Sequence, residues 1–240
     1  MSRVLITGAS SGLGHALAQG LAGEGATVLA TARREARLLD LAKAYPSIEP
    51  HALDVTDRDA VAAFAATVGS LDAAVFNAGI THADSFDAGS LEGDRALVET
   101  NVLANLHLAR ALKPALAGGR LVLVGSMAGF VPLPSQAVYS GTKAFVQNFG
   151  LALREEWRGE VSVGVFAPGG IKTEMTDIEA MAHLTKHMAP VEDVAADLAR
   201  FMASDRAMRV PGGANRVQAL LARFVSPATL ARLMGRVYKR

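Results

Sequence analysis

The sequence predicts a single α/β domain built on a parallel, doubly wound sheet, with a helical extension at its C-terminus. Short β-branched runs alternate with stretches of helical period, and several of these runs are continuously apolar. Continuous apolar runs are typical of strands whose two faces are both covered by helices. No internal repeat or low-complexity linker divides the 240 residues, a length that suits one domain.

Six strands are predicted from the short runs. They are Val4–Thr7, Thr27–Thr31, Ile48–Leu53, Ala73–Asn77, Arg120–Gly125 and Ser162–Ala167. Ligands of such sheets bind at the carboxyl ends of the strands, so the residues directly after each run are the candidates for function. The expected architecture is a doubly wound Rossmann fold.

Stretches of helical period lie between and after the strands. One helix is predicted from the i, i+3, i+4, i+7 spacing of Val61, Phe64, Ala65 and Val68. Pro190 is expected to open another, with a buried stripe formed by Val194, Leu198 and Phe201. A third is expected over Val138–Leu153.

Charge divides the chain unevenly. Residues 206–240 carry eight Lys and Arg and no acid, whereas the remaining residues carry sixteen basic and twenty-three acidic groups, a net charge of −7. We therefore predict a catalytic Rossmann domain over residues 1–205 and a basic helical extension of the same domain over residues 206–240.

Several function classes are excluded by composition. The chain has no cysteine, which removes disulfides, thiol nucleophiles and cysteine-ligated metals. No apolar run approaches the length of a membrane-spanning helix, and the first strand begins too early for a signal peptide, so we expect a cytoplasmic protein. His183 and His187 lack an acid or cysteine set that would complete a metal site, so no metal is expected.

A glycine-rich loop follows the first strand and precedes a helix. Its residues are Thr7-Gly8-Ala9-Ser10-Ser11-Gly12-Leu13-Gly14. Glycines allow positive φ and close approach of the backbone to a pyrophosphate, and the helix offers free N–H groups to that anion. The loop predicts dinucleotide binding through Gly8, Ser10, Ser11, Gly12, Leu13 and Gly14; a plain strand-to-helix turn is the alternative.

The end of the second strand discriminates between nucleotides. Enzymes that prefer NAD usually carry an acid there for the ribose 2′-OH, but this chain has Ala32 followed by Arg33 and Arg34. Arg33 is expected to pair with a 2′-phosphate as a charged fork, which favours NADP(H) over NAD(H). A solvated helix start is the alternative, although cations disfavour a helix N-terminus.

Tyr139 and Lys143 lie four residues apart in the predicted helix Val138–Leu153 and so share one face. An ammonium beside a phenol favours the phenolate, so that a tyrosine can exchange a proton with a substrate oxygen near neutral pH. The same spacing also occurs in ordinary surface pairs, so its context decides.

Two polar residues supply that context. Ser126 directly follows the fifth predicted strand, so its hydroxyl is expected to hold a substrate oxygen beside Tyr139. Asn101 lies in a helical stretch with Val98, Val102 and Leu106, where a buried amide needs hydrogen-bond partners. A helix kink or cap is the alternative for Asn101, and both roles can coexist. The catalytic candidates are Asn101, Ser126, Tyr139 and Lys143.

The motifs together resemble the short-chain dehydrogenase/reductase family in its single-domain form. The resemblance runs from residue 3 to about residue 204. It includes Thr7-Gly-x-x-x-Gly-x-Gly14, Asp54, Asn77-Ala-Gly79, Asn101, Ser126, Tyr139-x-x-x-Lys143 and Pro168-Gly169-Gly170-Ile171-x-Thr173, in order and at family spacing. It implies an NADP(H)-dependent oxidoreductase that interconverts a carbonyl and an alcohol; a non-enzymatic NADP(H)-binding regulator on the same fold is the alternative.

The resemblance also implies a role for each catalytic candidate. Tyr139 would donate the proton in the reducing direction, and Lys143 would hold the nicotinamide ribose while favouring the phenolate. Ser126 would orient the carbonyl, and Asn101 would support a water that links Lys143 to solvent.

Cofactor contacts follow from the same resemblance. Tyr139 and Lys143 are joined by Asp54 and Val55 at the adenine, Asn77, Ala78 and Gly79 under the adenosine ribose, and Pro168, Gly169, Ile171 and Thr173 beside the nicotinamide amide and its phosphate. Substrate contacts are implied at Met127, Phe130, Val131 and Leu133, and in the loop Thr173–Pro190, whose Met175, Met181, Leu184 and Met188 form an adaptable apolar lid.

Two features depart from the family pattern. The first of two common asparagines is Phe76, which is expected to alter packing without abolishing binding. The usual strand with a Val-Asp-Gly-Gly ending is replaced by Val210-Pro211-Gly212-Gly213. That ending helps many relatives to form tetramers, so we expect a homodimer and leave tetramer formation open.

The extension carries two apolar stripes at helical spacing. They comprise Val217, Leu220, Leu221, Phe224 and Val225, then Leu230, Leu233, Met234 and Val237, with Ser226-Pro227 expected to start the second helix. Among the basic residues, Arg216 and Arg223 flank the first stripe, while Arg232, Arg236 and Lys239 lie away from the second. We expect the stripes to cover the substrate loop or a partner subunit; an anionic membrane surface is the alternative, and nucleic acid is not expected.

Overall fold

The structure is a computed structural model that describes residues 2–176 and 188–238. In this part of the chain seven parallel strands form one sheet in the order β3-β2-β1-β4-β5-β6-β7. The strands are β1 (Arg3–Thr7), β2 (Thr27–Ala32), β3 (Ile48–Ala52), β4 (Ala73–Phe76), β5 (Arg120–Val124), β6 (Ser162–Phe166) and β7 (Met208–Arg209). The doubly wound Rossmann sheet predicted from the sequence is confirmed.

Helices cover both faces of this sheet. Those before β5 are α1 (Gly12–Gly23), α2 (Glu35–Ala44), α3 (Arg58–Thr67), α4 (Leu91–Val98) and α5 (Ala104–Leu112), with a π-helical turn over Glu99–Leu103. Short 3-10 turns span Pro114–Leu116 and Met127–Gly129. The later helices are α6 (Ala137–Glu156), α7 (Val191–Met202), α8 (Gly213–Leu221) and α9 (Pro227–Tyr238).

The alternating direction of strand side chains builds a core on each face. On β1, Val4 and Ile6 pack with residues of α1 and α7, whereas Leu5 packs on the other face with residues of α3, α5 and α6. Burial on both faces explains why the predicted strands read as continuous apolar runs.

The six predicted strands are confirmed, each with its end placed within one or two residues, but the sequence did not reveal β7. This strand pairs with β6 through residues Met208 and Arg209. Arg209 also donates to both carboxylate oxygens of Asp197 on α7, at 2.8 and 2.9 Å. A two-residue strand has no detectable period, so only these tertiary contacts reveal it. The sheet therefore continues beyond residue 205.

The helices predicted over Val138–Leu153 and after Pro190 are both present. The predicted helix Val138–Leu153 lies inside α6, and the predicted stripe of α7 is buried. Pro190 precedes α7 as its N-cap. At the start of α9, the Ser226 hydroxyl accepts from the Thr229 N–H at 3.2 Å, which confirms the predicted cap.

The apolar stripe of α8 is different, because it faces solvent. Val217, Leu220 and Leu221 are 55–57% exposed and Phe224 is 80% exposed. Ala219 on the opposite side of α8 and Leu230 on α9 are buried. The prediction that this stripe covers the substrate loop or a partner subunit stays a prediction, because most of that loop lies outside the described residues. Of the helices described, none is both long and apolar enough to cross a membrane.

Candidate active site

The site lies where the winding of the sheet reverses. The chain runs outward from β1 to β2 and β3, and then returns to place β4 on the other side of β1. The carboxyl ends of β1 and β4 therefore border a crevice of the kind in which doubly wound sheets bind ligands.

The glycine-rich loop after β1 has the backbone that a phosphate-binding turn requires. Gly8 has φ of 71° and Gly12 has φ of 55°, both in the region that disfavours residues with a Cβ. Helix α1 begins at Gly12, and its first-turn N–H groups and dipole favour an anion at this end. Leu13 is buried in the core, so only its backbone faces that position.

Close packing against the loop after β4 explains two of these glycines. A Cβ on Gly8 would lie 2.9 Å from Ala78 Cα, and a Cβ on Gly14 would lie 2.5 Å from Asn77 Nδ2. The backbone N–H groups of Asn77 and Ala78 both donate to the buried Thr7 hydroxyl at 3.0 Å. The two loops predicted to bind a dinucleotide thus form one rigid cradle whose residues fit that group.

The first departure from the family pattern does not reach this cradle. Phe76 is 2% exposed and belongs to the core packed against α5 and α6. The Phe76 side chain therefore packs in the core, away from the glycine-rich loop. Asn77 donates to the Thr7 and Gly8 carbonyls at 3.1 and 3.3 Å.

The predicted adenine contacts follow β3. Asp54 accepts from the backbone N–H of Thr56 at 3.0 Å and from its hydroxyl at 2.7 Å, while Val55 is buried. The backbone N–H of Leu53 donates to the Ala32 carbonyl at 3.0 Å. This bond joins the end of β3 to the end of β2, where the nucleotide choice was predicted.

After the end of β2, Arg34 is the arginine whose side chain binds the glycine-rich loop. Arg34 donates from Nε to Ser10 Oγ at 3.1 Å and from a terminal nitrogen to Ser11 Oγ at 2.6 Å. Arg33 is exposed, and no hydrogen bond or ion pair holds its side chain to any residue the structure describes. The adjacent arginines were visible in the sequence, but which of them reaches the loop depends on the backbone at the start of α2.

A carboxylate from a distant segment joins Arg34, Ser10 and Ser11, and with Arg37 these residues form the Arg34 cluster. Glu174, which follows β6 and Thr173, accepts from Arg34 at 3.0 Å and from Arg37 on α2 at 2.5 Å. Hydrogen bonds from Arg37 and Arg34 hold the pKa of the Glu174 carboxyl below its usual value. The sequence carried no signal for this contact, since 140 residues separate Glu174 from Arg34.

Helix α6 brings Lys143 to the inner side of the crevice. Lys143 is 7% exposed, and its ammonium donates to the Val124 carbonyl at the end of β5 at 3.1 Å. Burial lowers the pKa of Lys143 to about 8. The ammonium lies 5.8 Å from the centre of the Tyr139 ring, so the two residues share one face as predicted.

Asn101 lies in the π-helical turn and links three elements. Its side chain accepts from the Ile80 N–H at 2.9 Å, and it donates to the Ile80 carbonyl at 2.9 Å and to the Thr142 hydroxyl at 3.2 Å. A Cβ on Gly79 would lie 3.1 Å from the Asn101 oxygen and 3.6 Å from Lys143 Nζ. Asn101 therefore holds the loop after β4 against the helix that carries Lys143.

Ser126 caps the 3-10 turn after β5. Its hydroxyl oxygen accepts from the Ala128 N–H at 3.1 Å, and a hydroxyl that accepts one hydrogen bond can still donate its own proton to another acceptor. Its carbonyl accepts from Gln147 Nε2 on α6 at 2.6 Å. The serine is thus fixed to the helix of Tyr139 through its backbone.

The motif after β6 closes the other side of the crevice. The Pro168 carbonyl accepts from the Met127 N–H at 2.8 Å, and a Cβ on Gly169 would lie 2.6 Å from Asn215 Nδ2 on α8. Ile171 is buried and forms an isolated parallel β-bridge with Ala189. The side chain of Thr173 lies 3.2 Å from the place of a Cβ on Gly12, so this segment rests directly on the glycine-rich loop.

Several positioning residues escaped the sequence analysis. Thr142 and Gln147 are buried polar residues on α6 that bind Asn101 and Ser126. The available signal was helical spacing, since Thr142 lies three residues after Tyr139 and Gln147 four residues after Lys143. Asn215 carried no signal, because its approach to Gly169 depends on how α8 packs.

The substrate side is described only in part. Leu133 and Met188 are buried and Met175 is 42% exposed. Met181, His183, Leu184 and His187 lie outside the described residues. No group of His, Cys, Asp and Glu among the residues described here is arranged to hold a metal ion.

Comparisons with known proteins agree with this geometry. The model of the short chain dehydrogenase family matches residues 2–183. The chain is 39% identical to an uncharacterized oxidoreductase of Myxococcus xanthus over 72% of its own length and 73% of that protein. It is 34% identical to serine 3-dehydrogenase of Agrobacterium fabrum, covering 80% of this chain and 84% of that protein.

Solved structures show the same architecture. The closed form of a serine dehydrogenase complexed with NADP+ superposes with a TM-score of 0.81 at 27% identity, over 87% of this chain and 93% of that one. A short-chain dehydrogenase of Sphingobium yanoikuyae in complex with NADPH superposes with a TM-score of 0.83 at 26% identity, over 93% of this chain and 94% of that one.

Proposed function

Since the chain belongs to the short-chain dehydrogenase family, we propose that it is an NADP(H)-dependent oxidoreductase that interconverts a carbonyl and a secondary alcohol. The observation that carries the proposal is the buried ammonium of Lys143 beside the ring of Tyr139, at the edge of the sheet where the glycine-rich loop and Ser126 also lie. A buried cation is costly, so its retention beside a phenol favours a chemical role over a structural one.

Each catalytic residue has a separate task in this proposal. When bound, the nicotinamide supplies or accepts the hydride. Tyr139 protonates the oxygen of the carbonyl as it is reduced, and takes the proton back in the other direction. The Lys143 ammonium favours the phenolate and binds the ribose hydroxyls, and Ser126 directs its hydroxyl proton to the substrate oxygen. Asn101 positions Gly79 and the helix of Lys143 around them.

The preference for NADP(H) rests on the end of β2. Ala32 replaces the acid that would bind a ribose 2′-OH, and the Arg34 guanidinium, held by Ser10 and Ser11, provides fixed donors for a 2′-phosphate. Arg33, exposed at the same point, adds a second cation. The NADP+ and NADPH complexes among the similar structures support this cofactor.

Substitution of Tyr139→Phe tests the catalytic assignment. The change removes one oxygen and keeps the ring, so folding and NADPH binding should persist while turnover falls by about 10²–10⁴-fold, the usual contribution of general acid/base catalysis. Turnover is followed as NADPH oxidation against a panel of ketones and as NADP+ reduction with secondary alcohols. Aldehydes and serine, a primary alcohol, are added because of the similar serine dehydrogenase.

The matched control is Tyr45→Phe. Tyr45 follows the C-terminus of α2, at the opposite edge of the sheet from the strand carboxyl ends, so its loss should leave turnover unchanged. Near-normal turnover in the Tyr139 variant would show that another group supplies the proton.

A further inference from the structure

The Arg34 cluster contains an anion from the chain itself. One Glu174 oxygen accepts from Arg34 and the other from Arg37, while the remaining donors of Arg34 point to Ser10 and Ser11 in the glycine-rich loop. A carboxylate that bridges two guanidinium groups presents charged oxygen acceptors to them, as a phosphate bound by arginines also does. Glu174 therefore lies where the donors of this cluster would bind one.

The position of the Arg34 cluster indicates which phosphate of a dinucleotide it would bind. Arg34 comes two residues after the end of β2, the point at which doubly wound sheets bind the adenosine ribose at its 2′ position. A cleft of about 420 Å3 lies beside the cluster, between α1 and α2, and Ser10, Ser11, Arg37 and Glu174 are among the residues that line it. A 2′-phosphate bound to Arg34 and Arg37 would be a like charge that competes with the Glu174 carboxylate for the same donors.

We propose that Glu174 is a specificity-determining residue that competes with the 2′-phosphate of NADP(H) for Arg34 and Arg37. This inference rests on the proposed function. Binding of the 2′-phosphate exchanges one anion for another on the two arginines, so Glu174 lowers the affinity for NADP(H) and leaves the affinity for NAD(H) unaffected. The side chain is 56% exposed, so it can turn to solvent when displaced.

Charges around the cluster support this exchange. The pKa of Glu174 is held below its usual value by Arg37 and Arg34, so the carboxylate is charged at neutral pH. Its neighbour Thr173 contacts Gly12 of the glycine-rich loop, which keeps the carboxylate close to the arginines. Exposed pairs of this kind contribute little energy, so the competition should change affinity by about threefold to tenfold.

Calorimetric titration with two nucleotides that differ only in the 2′-phosphate tests the inference without turnover. Adenosine 2′,5′-bisphosphate should bind Glu174→Gln about threefold to tenfold more tightly than the unsubstituted protein, whereas adenosine 5′-monophosphate should bind both equally. NADPH and NADH should repeat the pattern. The matched control is Glu160→Gln, another exposed carboxylate paired with a cation, Lys113, at 2.9 Å, which should change neither affinity.

A substitution cycle assigns the effect to the two arginines. In a background that carries both Arg34→Gln and Arg37→Gln, Glu174→Gln should no longer tighten adenosine 2′,5′-bisphosphate, because both contested cations are gone. Additive effects would overturn the inference, as would an unchanged or weaker affinity in the single Glu174 variant. Equal affinity of the unsubstituted protein for both nucleotides would instead overturn the proposed NADP(H) preference, so the two failures are distinguishable.

Discussion

Helix α6, which carries Tyr139 and Lys143, and the C-terminal helix α8 place polar and apolar groups in opposite ways. On α6 Lys143 is 7% exposed, and Ser140, Thr142 and Gln147 are also buried. On α8 the apolar stripe faces solvent, with Phe224 just beyond its end 80% exposed. One helix places charge inside the protein, and the other places hydrocarbon outside it.

Both arrangements cost free energy, and each therefore indicates something that the chain binds. A buried ammonium loses hydration, which a reacting phenol and ribose hydroxyls can offset. An exposed apolar stripe is stabilised only when another surface covers it. From this difference we expect a small molecule to bind in the crevice beside α6 and a larger surface to cover the stripe of α8.

The largest effect is expected from removing β7, the strand that directly precedes α8. A chain ending at Asp205 loses β7 and Arg209, which leaves Asp197, 9% exposed, with only Arg200 at 3.3 Å. Breaking such a buried pair costs about 3–5 kcal/mol, so we expect this chain to aggregate or to show no cooperative unfolding in urea.

A chain ending at Gly212 is the matched comparison, because it keeps β7 and Arg209. It loses α8 and α9, of which Ala219 and Leu230 are the residues buried in the described part. We expect it to fold with a free energy of unfolding lowered by about 1–3 kcal/mol. Equal stability of the two truncated chains would show that residue 205 is a true domain boundary, and not only the point where the charge changes.

Lys143→Met should separate catalysis from stability. The substitution keeps the length of the side chain and removes the ammonium, so turnover should fall by at least about 10²-fold and NADPH should bind more weakly. The free energy of unfolding should rise. The lowered pKa of Lys143, from 10.5 to about 8, destabilises the folded state by about 3 kcal/mol, and the substitution removes this cost. Loss of the hydrogen bond to the Val124 carbonyl opposes this gain by about 1 kcal/mol.

The pH dependence gives the sign of this effect. The folded protein binds fewer protons at Lys143 than the unfolded chain does between pH 8 and 10.5, so its stability rises with pH across that window. The advantage of the variant in urea unfolding should therefore be full below pH 8 and shrink towards pH 10.5. Lys43→Met, whose side chain is 76% exposed, is the control and should show no such difference. A gap that is independent of pH would contradict the burial of a charged lysine.

The smallest effect on stability is expected from Phe224→Ser. The ring is exposed, so the free energy of unfolding should change by less than about 0.5 kcal/mol. We expect a second copy of the chain to cover the stripe, so sedimentation equilibrium should show a dimer weakened about tenfold or more. Leu39→Ser, at an exposed apolar residue of α2, is the control. An unchanged dimer with salt-sensitive binding to anionic vesicles would assign the stripe to a lipid surface instead.

The local features of the site were open to prediction. The glycines of the first loop, the spacing of Tyr139 and Lys143, and the position of Ser126 after a strand are short-range patterns, because turn conformation and helical period depend on neighbouring residues. The roles of the catalytic residues remain predictions that the substitutions above test.

By itself, then, the sequence determined the succession of strands and helices along the chain, the position of the glycine-rich loop after β1, and the family. Only the tertiary structure decided that β7 extends the sheet, that Arg34 rather than Arg33 is anchored, that Glu174 meets it from 140 residues away, and that the stripe of α8 faces solvent. The physical reason is range: a period reveals which side of a helix is apolar, but the packing of distant segments decides what that side meets.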